Sequence, residues 1–82
     1  MTQIDKGGNE KNLISERLKQ ARNATGLSQR GLARELQLMG YDMDKNVITR
    51  IETNRRSVRD FELRAFSMAL HVSYAYLLDG TE

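Results

Sequence analysis

Apolar residues recur at intervals of three and four along most of the chain, which is the spacing of one face of an α-helix. The pattern predicts five helices, over about residues 12–25, 29–39, 45–53, 59–70 and 74–78. The apolar positions that define their inner faces are Ile14, Leu18, Ala21, Leu32, Ala33, Leu36, Ile48, Ile51, Leu63, Phe66 and Leu70. We therefore expect an all-α fold with a single core.

Residues suited to helix ends support these boundaries. Ser28, Asp44 and Ser73 directly precede predicted helices, and their short polar side chains can accept the unpaired N–H groups of a first helical turn. Asn54 and His71 follow the third and fourth helices, where a residue that tolerates the left-handed conformation is favoured. A capping role is the simpler interpretation of His71, because it is the only histidine and has no second metal ligand in view.

The connection between the second and third helices is unusually long. We expect the second helix to reach at least Leu38, a loop over Gly40–Met43, and a third helix that begins at Lys45. Tyr41 or Met43 is expected to tuck back against the core, because ordering a loop of this length otherwise costs chain entropy with little gain.

The third helix divides into an apolar side and a polar side. Ile48 and Ile51 share the apolar side, and the polar side carries Lys45, Asn46, Thr49 and Arg50. Lysine and arginine suit guanine edges, asparagine suits adenine, and threonine can bond a phosphate or offer its methyl group to thymine. Arg55 and Arg56 add two cations just beyond the helix. This pattern predicts a helix that reads DNA.

Length, charge and composition limit the kinds of protein that the chain can be. The 82 residues are enough for one small domain, and we expect a loose arm over residues 1–11, a domain over 12–80 and a tail over 81–82. The net charge of +2 is only weak support for a nucleic-acid partner. Without cysteine there is no disulfide and no thiolate metal site, and no apolar run approaches the roughly 20 residues of a membrane span. We expect a cytoplasmic protein without cofactor, metal or membrane attachment.

Several spaced motifs resemble one family. They are Arg22-x-x-x-Gly26-Leu27-Ser28-Gln29-x-x-Leu32-Ala33, Ile48-Thr49-Arg50-Ile51-Glu52, Leu63-x-x-Phe66-x-x-x-Leu70-x-Val72 and Tyr76-Leu77-Leu78. In this order they resemble the phage repressor and Cro type of helix-turn-helix domain, the xenobiotic response element family, over about residues 13–80. The resemblance implies a five-helix, lambda-repressor-like fold. Ala33 and Glu52 are 19 positions apart here, about five more than in the tight family version.

The resemblance also implies roles for individual residues. The base-reading positions are Lys45, Asn46, Thr49 and Arg50, and the positions facing the DNA backbone are Ser28, Gln29, Arg55 and Arg56. Arg22 and Glu52 match a partly buried ion pair that joins the first helix to the third. That pair is structural, and removing one partner leaves an uncompensated buried charge.

These observations predict a transcriptional regulator that binds double-stranded DNA, most simply a repressor that occupies a two-fold symmetric operator as a homodimer. Bound to DNA, it would be associated with the nucleoid. We expect the dimer contacts in the fifth helix, at Tyr74, Tyr76, Leu77 and Leu78. The alternative is a protein-interaction module or the antitoxin of a toxin pair, although only about 11 residues precede the domain. An enzyme is disfavoured, because the sequence has no cysteine, one histidine and no phosphate-binding glycine loop.

Overall fold

The computed structural model of the chain describes residues 14–81. The predicted arm over residues 1–11 and the last residue of the tail lie outside the described residues. All regular structure between residues 14 and 81 is helical. The helices are α1 (Ser15–Ala24), α2 (Gln29–Leu38), α3 (Lys45–Glu52), α4 (Asp60–Leu70) and α5 (Tyr74–Asp79). The predicted all-α, five-helix architecture is confirmed.

Three of the helices begin at a side-chain cap. Ser28, Asp44 and Ser73 each accept, through a side-chain oxygen, the backbone N–H three residues later at 2.9 Å. Caps of this kind are typically worth about 1 kcal/mol each, because they satisfy a donor that the helix itself leaves unpaired. The predicted starts of α2, α3 and α5 are therefore confirmed.

Two non-glycine residues with positive φ turn the chain out of a helix. Asn54 has a φ of 63° just after α3, and His71 has a φ of 58° at the end of α4. Both residues lie in the left-handed region, which polar side chains enter more readily than branched or bulky apolar ones. The capping role predicted for His71 is confirmed.

One core unites the helices, and its buried apolar residues are Ile14, Leu18, Ala21, Leu32, Ala33, Leu36, Met43, Ile48, Ile51, Ala65, Phe66, Leu70 and Leu77. The predicted role of Leu77 in a dimer surface is wrong. Leu77 is 0% exposed, because α5 packs on both α1 and α4 and turns this side chain inward. Tyr74 and Leu78 keep the outward positions on α5.

The long connection between α2 and α3 is anchored by the residue that precedes the α3 cap. Gly40, with a φ of +99°, turns the chain after α2, and Met43 is only 2% exposed within the core. The Gln37 side-chain amide donates to the Met43 carbonyl oxygen at 3.1 Å, which ties the connection to α2. The predicted extent of α2, the start of α3 and the inward position of Met43 are confirmed. No helix within residues 14–81 is both long and apolar enough to span a bilayer.

Candidate nucleic-acid interface

One side of α3 packs against the rest of the domain, and the opposite side faces solvent. Ile48 and Ile51 are 0% exposed, and α3 packs against both α1 and α2. Its opposite side forms one polar surface, which we call the α3 outer face: Lys45, Asn46, Thr49, Arg50 and Thr53. Thr49 is half-buried and the other four are exposed. Thr53 was not among the predicted site residues, although it lies four positions after Thr49 and seven after Asn46, which is the spacing of a shared face.

A buried ion pair fixes the inner edge of α3. Arg22 Nε lies 2.6 Å from Glu52 Oε2, and Arg22 Nη2 lies 3.0 Å from Glu52 Oε1. The Arg22 Nη1 group donates to the Leu27 carbonyl oxygen at 2.8 Å, so one guanidinium joins α1, the α1–α2 turn and α3. Two parallel, charge-assisted hydrogen bonds define both distance and orientation. The pair sets the orientation of the α3 outer face from inside the protein.

Gln29 extends this network to the outer face. Its Nε2 donates to Glu52 Oε1 at 2.9 Å, and its Oε1 accepts from the Thr49 hydroxyl at 2.7 Å. Since a carboxylate only accepts, the amide nitrogen must face Glu52 and the amide oxygen must face Thr49. Gln29, which the resemblance assigned to the DNA backbone, is thus half-buried and connects α2 to α3. Residue types alone gave no signal for this contact, because its partners are 20 and 23 positions away.

Ser28 lies beside Gln29 at the start of α2. Its side-chain oxygen accepts the Gly31 N–H, and the residue is exposed. A hydroxyl that accepts one hydrogen bond still has a proton to donate. Capping and a contact with a phosphate oxygen are therefore compatible for Ser28.

The two arginines after α3 occupy different environments. Arg55 is exposed. Arg56 binds Glu62 of α4 through two hydrogen bonds, from Nη1 to Oε1 at 2.8 Å and from Nη2 to Oε2 at 2.9 Å. Glu62 is 3% exposed and also accepts the Arg59 N–H at 3.0 Å. Arg56 therefore holds the loop onto α4, whereas Arg55 is exposed just beyond the end of α3.

The protonation of Glu62 reflects these contacts. Burial favours its neutral form and raises its pKa, but the hydrogen bonds from Arg56 and the Arg59 N–H, together with the positive charges of both arginines, outweigh burial and lower the pKa. The hydrogen bond to Glu62 in turn raises the pKa of Arg56. The pair is charged at neutral pH.

A protein-family model described as a helix-turn-helix domain matches residues 13–76, most of the chain. The chain belongs to the helix-turn-helix domain family. No curated protein matches it. Family membership agrees with the geometry, in which α2 braces a third helix whose outer face is polar.

This helix-turn-helix domain is similar in structure to a phage repressor. It resembles the P22 c2 repressor, solved in complex with synthetic operator 9T in the presence of Tl⁺, with a TM-score of 0.71 and 26% sequence identity. The similarity covers 85% of this chain and 98% of the repressor chain. The lambda-repressor-like fold and the phage-repressor resemblance are confirmed, and together they support a DNA-binding regulator.

Proposed function

We propose that this helix-turn-helix domain binds double-stranded DNA in a sequence-specific manner and regulates transcription, most simply as a repressor that occupies its operator. The observation that carries the proposal is the two-sided construction of α3. Its inner side is buried and bound through Glu52, while Lys45, Asn46 and Arg50 are exposed on its outer face. A helix held in this way can enter a major groove without losing its packing.

The chemistry of the outer face suits base edges. Lys45 and Arg50 can donate to guanine O6 and N7, and the Asn46 amide can pair with adenine N6 and N7. Good contacts of this kind are worth about 1–3 kcal/mol of discrimination each. None of them requires a catalytic group, so the proposal is a binding protein and not an enzyme.

Contacts to the DNA backbone would flank the base readers. Ser28 and Gln29 lie at the start of α2, where backbone N–H groups and the helix dipole favour an anion, and Arg55 lies beyond the other end of α3. Phosphate contacts on both sides would fix the register of α3 on the duplex. Gln29 would then couple phosphate binding to the position of Thr49, because one amide contacts both Thr49 and Glu52.

The proposal includes a homodimer, because one short helix reads only a few base pairs. Two copies on a two-fold operator would occupy half-sites about 34–36 Å apart. The candidate interface is a shallow groove between α4 and α5, which we call the α4–α5 groove: Asp60, Phe61, Leu63, Arg64, Tyr74 and Leu78. Phe61 is 49% exposed, Tyr74 47% and Leu78 39%. These values are high for large apolar side chains grouped at one site.

The charges in the α4–α5 groove favour a second copy of the chain as the partner. A two-fold interface brings the same patch of both subunits together, so the patch must be complementary to itself. Asp60 and Arg64 supply one charge of each sign beside an apolar centre, which meets that requirement.

Selection of bound duplexes from a random pool by the full chain tests the proposal. We expect one enriched site, bound on the order of 10³-fold more tightly than a scrambled duplex, with an affinity for both that falls as salt rises. If no site is enriched and no duplex is bound even at low salt, DNA recognition is wrong. The α4–α5 groove would then support the protein-interaction alternative.

A further inference from the structure

The hydroxyl of Thr49 is already engaged inside the protein. Its Oγ1 lies 2.7 Å from the Gln29 amide oxygen and 3.0 Å from the Lys45 carbonyl oxygen. Both neighbours only accept hydrogen bonds, and a hydroxyl has one proton to give. The only hydrogen-bond donor of the Thr49 side chain, its hydroxyl group, is therefore used within the domain.

The acceptor that Thr49 uses is itself held in place. Gln29 cannot turn its amide around, because Nε2 donates to Glu52, whose carboxylate is fixed by Arg22. This chain of contacts makes the orientation of the Thr49 side chain a property of the folded domain. A side chain fixed in advance loses little entropy when it meets DNA.

Thr53 has a similar arrangement one turn later. Its hydroxyl donates to the Thr49 carbonyl oxygen at 2.8 Å. The two threonines differ in location. Thr49 lies within α3 between Lys45 and Arg50, whereas Thr53 is the C-terminal cap beside the loop that carries Arg55. Thr49 is thus the threonine that is flanked by the proposed base readers.

We propose that Thr49 reads thymine through its methyl group. The 5-methyl group of thymine is the one apolar feature that distinguishes base pairs in the major groove. With its proton committed to Gln29, Thr49 offers that groove a methyl group. The proposal rests on the function proposed above and adds one base contact to it. The operator would contain a thymine whose methyl group packs against the methyl group of Thr49.

The test combines a change in the protein with a change in the DNA. Each thymine of the selected duplex is replaced in turn by deoxyuridine, which removes the 5-methyl group and keeps the base pairing. At one position, we expect the wild-type chain to bind the uracil duplex about fourfold more weakly, the effect of losing one buried methyl-sized group.

Three variants show which group of the Thr49 side chain, methyl or hydroxyl, causes that loss of affinity. Thr49→Ser removes the methyl group and keeps the hydroxyl, so its affinities for the thymine and uracil duplexes should be equal. Thr49→Val keeps a methyl group and removes the hydroxyl, so the fourfold ratio should remain even if overall affinity falls. Thr53→Ser is the matched control on the same face, and it should keep the fourfold ratio of wild type at that position, whatever its overall affinity. Comparing ratios removes any general effect of a substitution on folding or on Gln29.

Two results would overturn the inference while leaving DNA recognition intact. One is a selected site at which no uracil substitution depends on residue 49. The other is loss of the thymine preference in Thr49→Val and its retention in Thr49→Ser, which would identify the hydroxyl as the reader. If no site is selected at all, the proposed function fails and this inference fails with it.

Discussion

Arg55 and Arg56 are adjacent in the chain, yet their guanidinium groups lie in different surroundings. Arg55 is exposed, whereas Arg56 binds the buried carboxylate of Glu62 through two hydrogen bonds. An exposed cation just after α3 is suited to a phosphate contact, whereas removing a cation paired with a buried carboxylate leaves that carboxylate uncompensated. The two residues should therefore respond differently to the same substitution.

Arg55→Ala should weaken binding to selected and scrambled DNA by similar factors, because a phosphate contact carries no sequence information. The slope of log affinity against log salt should fall by about 0.9 for the one lost contact. Titrations at several salt concentrations measure this slope. An unchanged slope, with stability unaltered, would remove Arg55 from the DNA interface.

Arg56→Ala should lower the free energy of unfolding by about 1–3 kcal/mol at pH 7, because it leaves the Glu62 carboxylate buried with fewer partners. The pKa of Glu62 is lowered in the fold, so the stability it provides is present above its ordinary value of 4.5 and is lost as pH falls through the lowered pKa. The difference between variant and wild type should accordingly shrink under acid conditions.

Urea denaturation at pH 7 and at progressively lower pH measures that difference, with Arg55→Ala as the matched control. A loss in Arg56→Ala that is the same at every pH would contradict the assignment. An equal loss of unfolding free energy in Arg55→Ala would also contradict it.

The outward residues of α3 are predictable from the sequence, but their internal partners are not. Lys45, Asn46 and Arg50 follow from helical spacing alone, since Ile48 and Ile51 define the opposite side. The Gln29 contacts with Thr49 and Glu52 join residues that are distant in sequence, and only tertiary packing brings them together. The ion pair between Arg56 and Glu62 was likewise not predictable, because a loop separates the two residues and no helical spacing relates them.

At the scale of the elements, the connection between α2 and α3 depends on one buried side chain. Met43 is 2% exposed and belongs to the core, although the segment around it is not helical. It lies directly before the Asp44 cap, so its packing fixes the chain next to the start of α3. A flexible thioether suits such an irregular gap.

Met43→Ala should lower the free energy of unfolding by about 2–5 kcal/mol, the range for truncating a buried methionine. Met68→Ala is the matched control, because Met68 is 53% exposed and its loss should change stability by less than about 0.5 kcal/mol. Chemical denaturation of both variants checks the prediction. Equal, small losses would mean that Met43 does not anchor the connection.

Helix boundaries were predictable where local chemistry sets them. Ser28, Asp44 and Ser73 mark helix starts through contacts only three residues long. The inner side of α5 was not predictable, because a six-residue helix rich in apolar and aromatic residues has no clear periodicity. Leu77 and Leu78 are neighbours of the same type, and only the packing of α5 on α1 and α4 buries the first and exposes the second.

At the scale of the whole molecule, the proposal requires two surfaces with separate tasks. The α3 outer face is polar and basic, and the α4–α5 groove is largely apolar. Binding of a dimer to DNA would use both surfaces: the α4–α5 groove would hold the two subunits together, and each subunit would place its α3 in one half-site.

Leu78→Asp should convert a dimer to a monomer, because it introduces a charge into the apolar centre of the groove. It should also weaken binding to the full selected site more than binding to a half-site. Leu38→Asp is the matched control, since Leu38 is 76% exposed and lies outside the groove. Sedimentation of both variants at equal concentration makes the comparison. Identical behaviour of the two variants would exclude the α4–α5 groove as the dimer surface.

The central claim is that α3 reads DNA sequence, and Asn46→Ala tests it most directly because the substitution alters no charge. The measurement is the affinity of wild type and variant for the selected duplex and for a scrambled duplex at one salt concentration. Asn23→Ala, which changes an exposed asparagine on α1, is the matched control. We expect Asn46→Ala to lose about 1–3 kcal/mol on the selected duplex and almost nothing on the scrambled one. Equal losses on both duplexes, or no loss on either, would contradict the account.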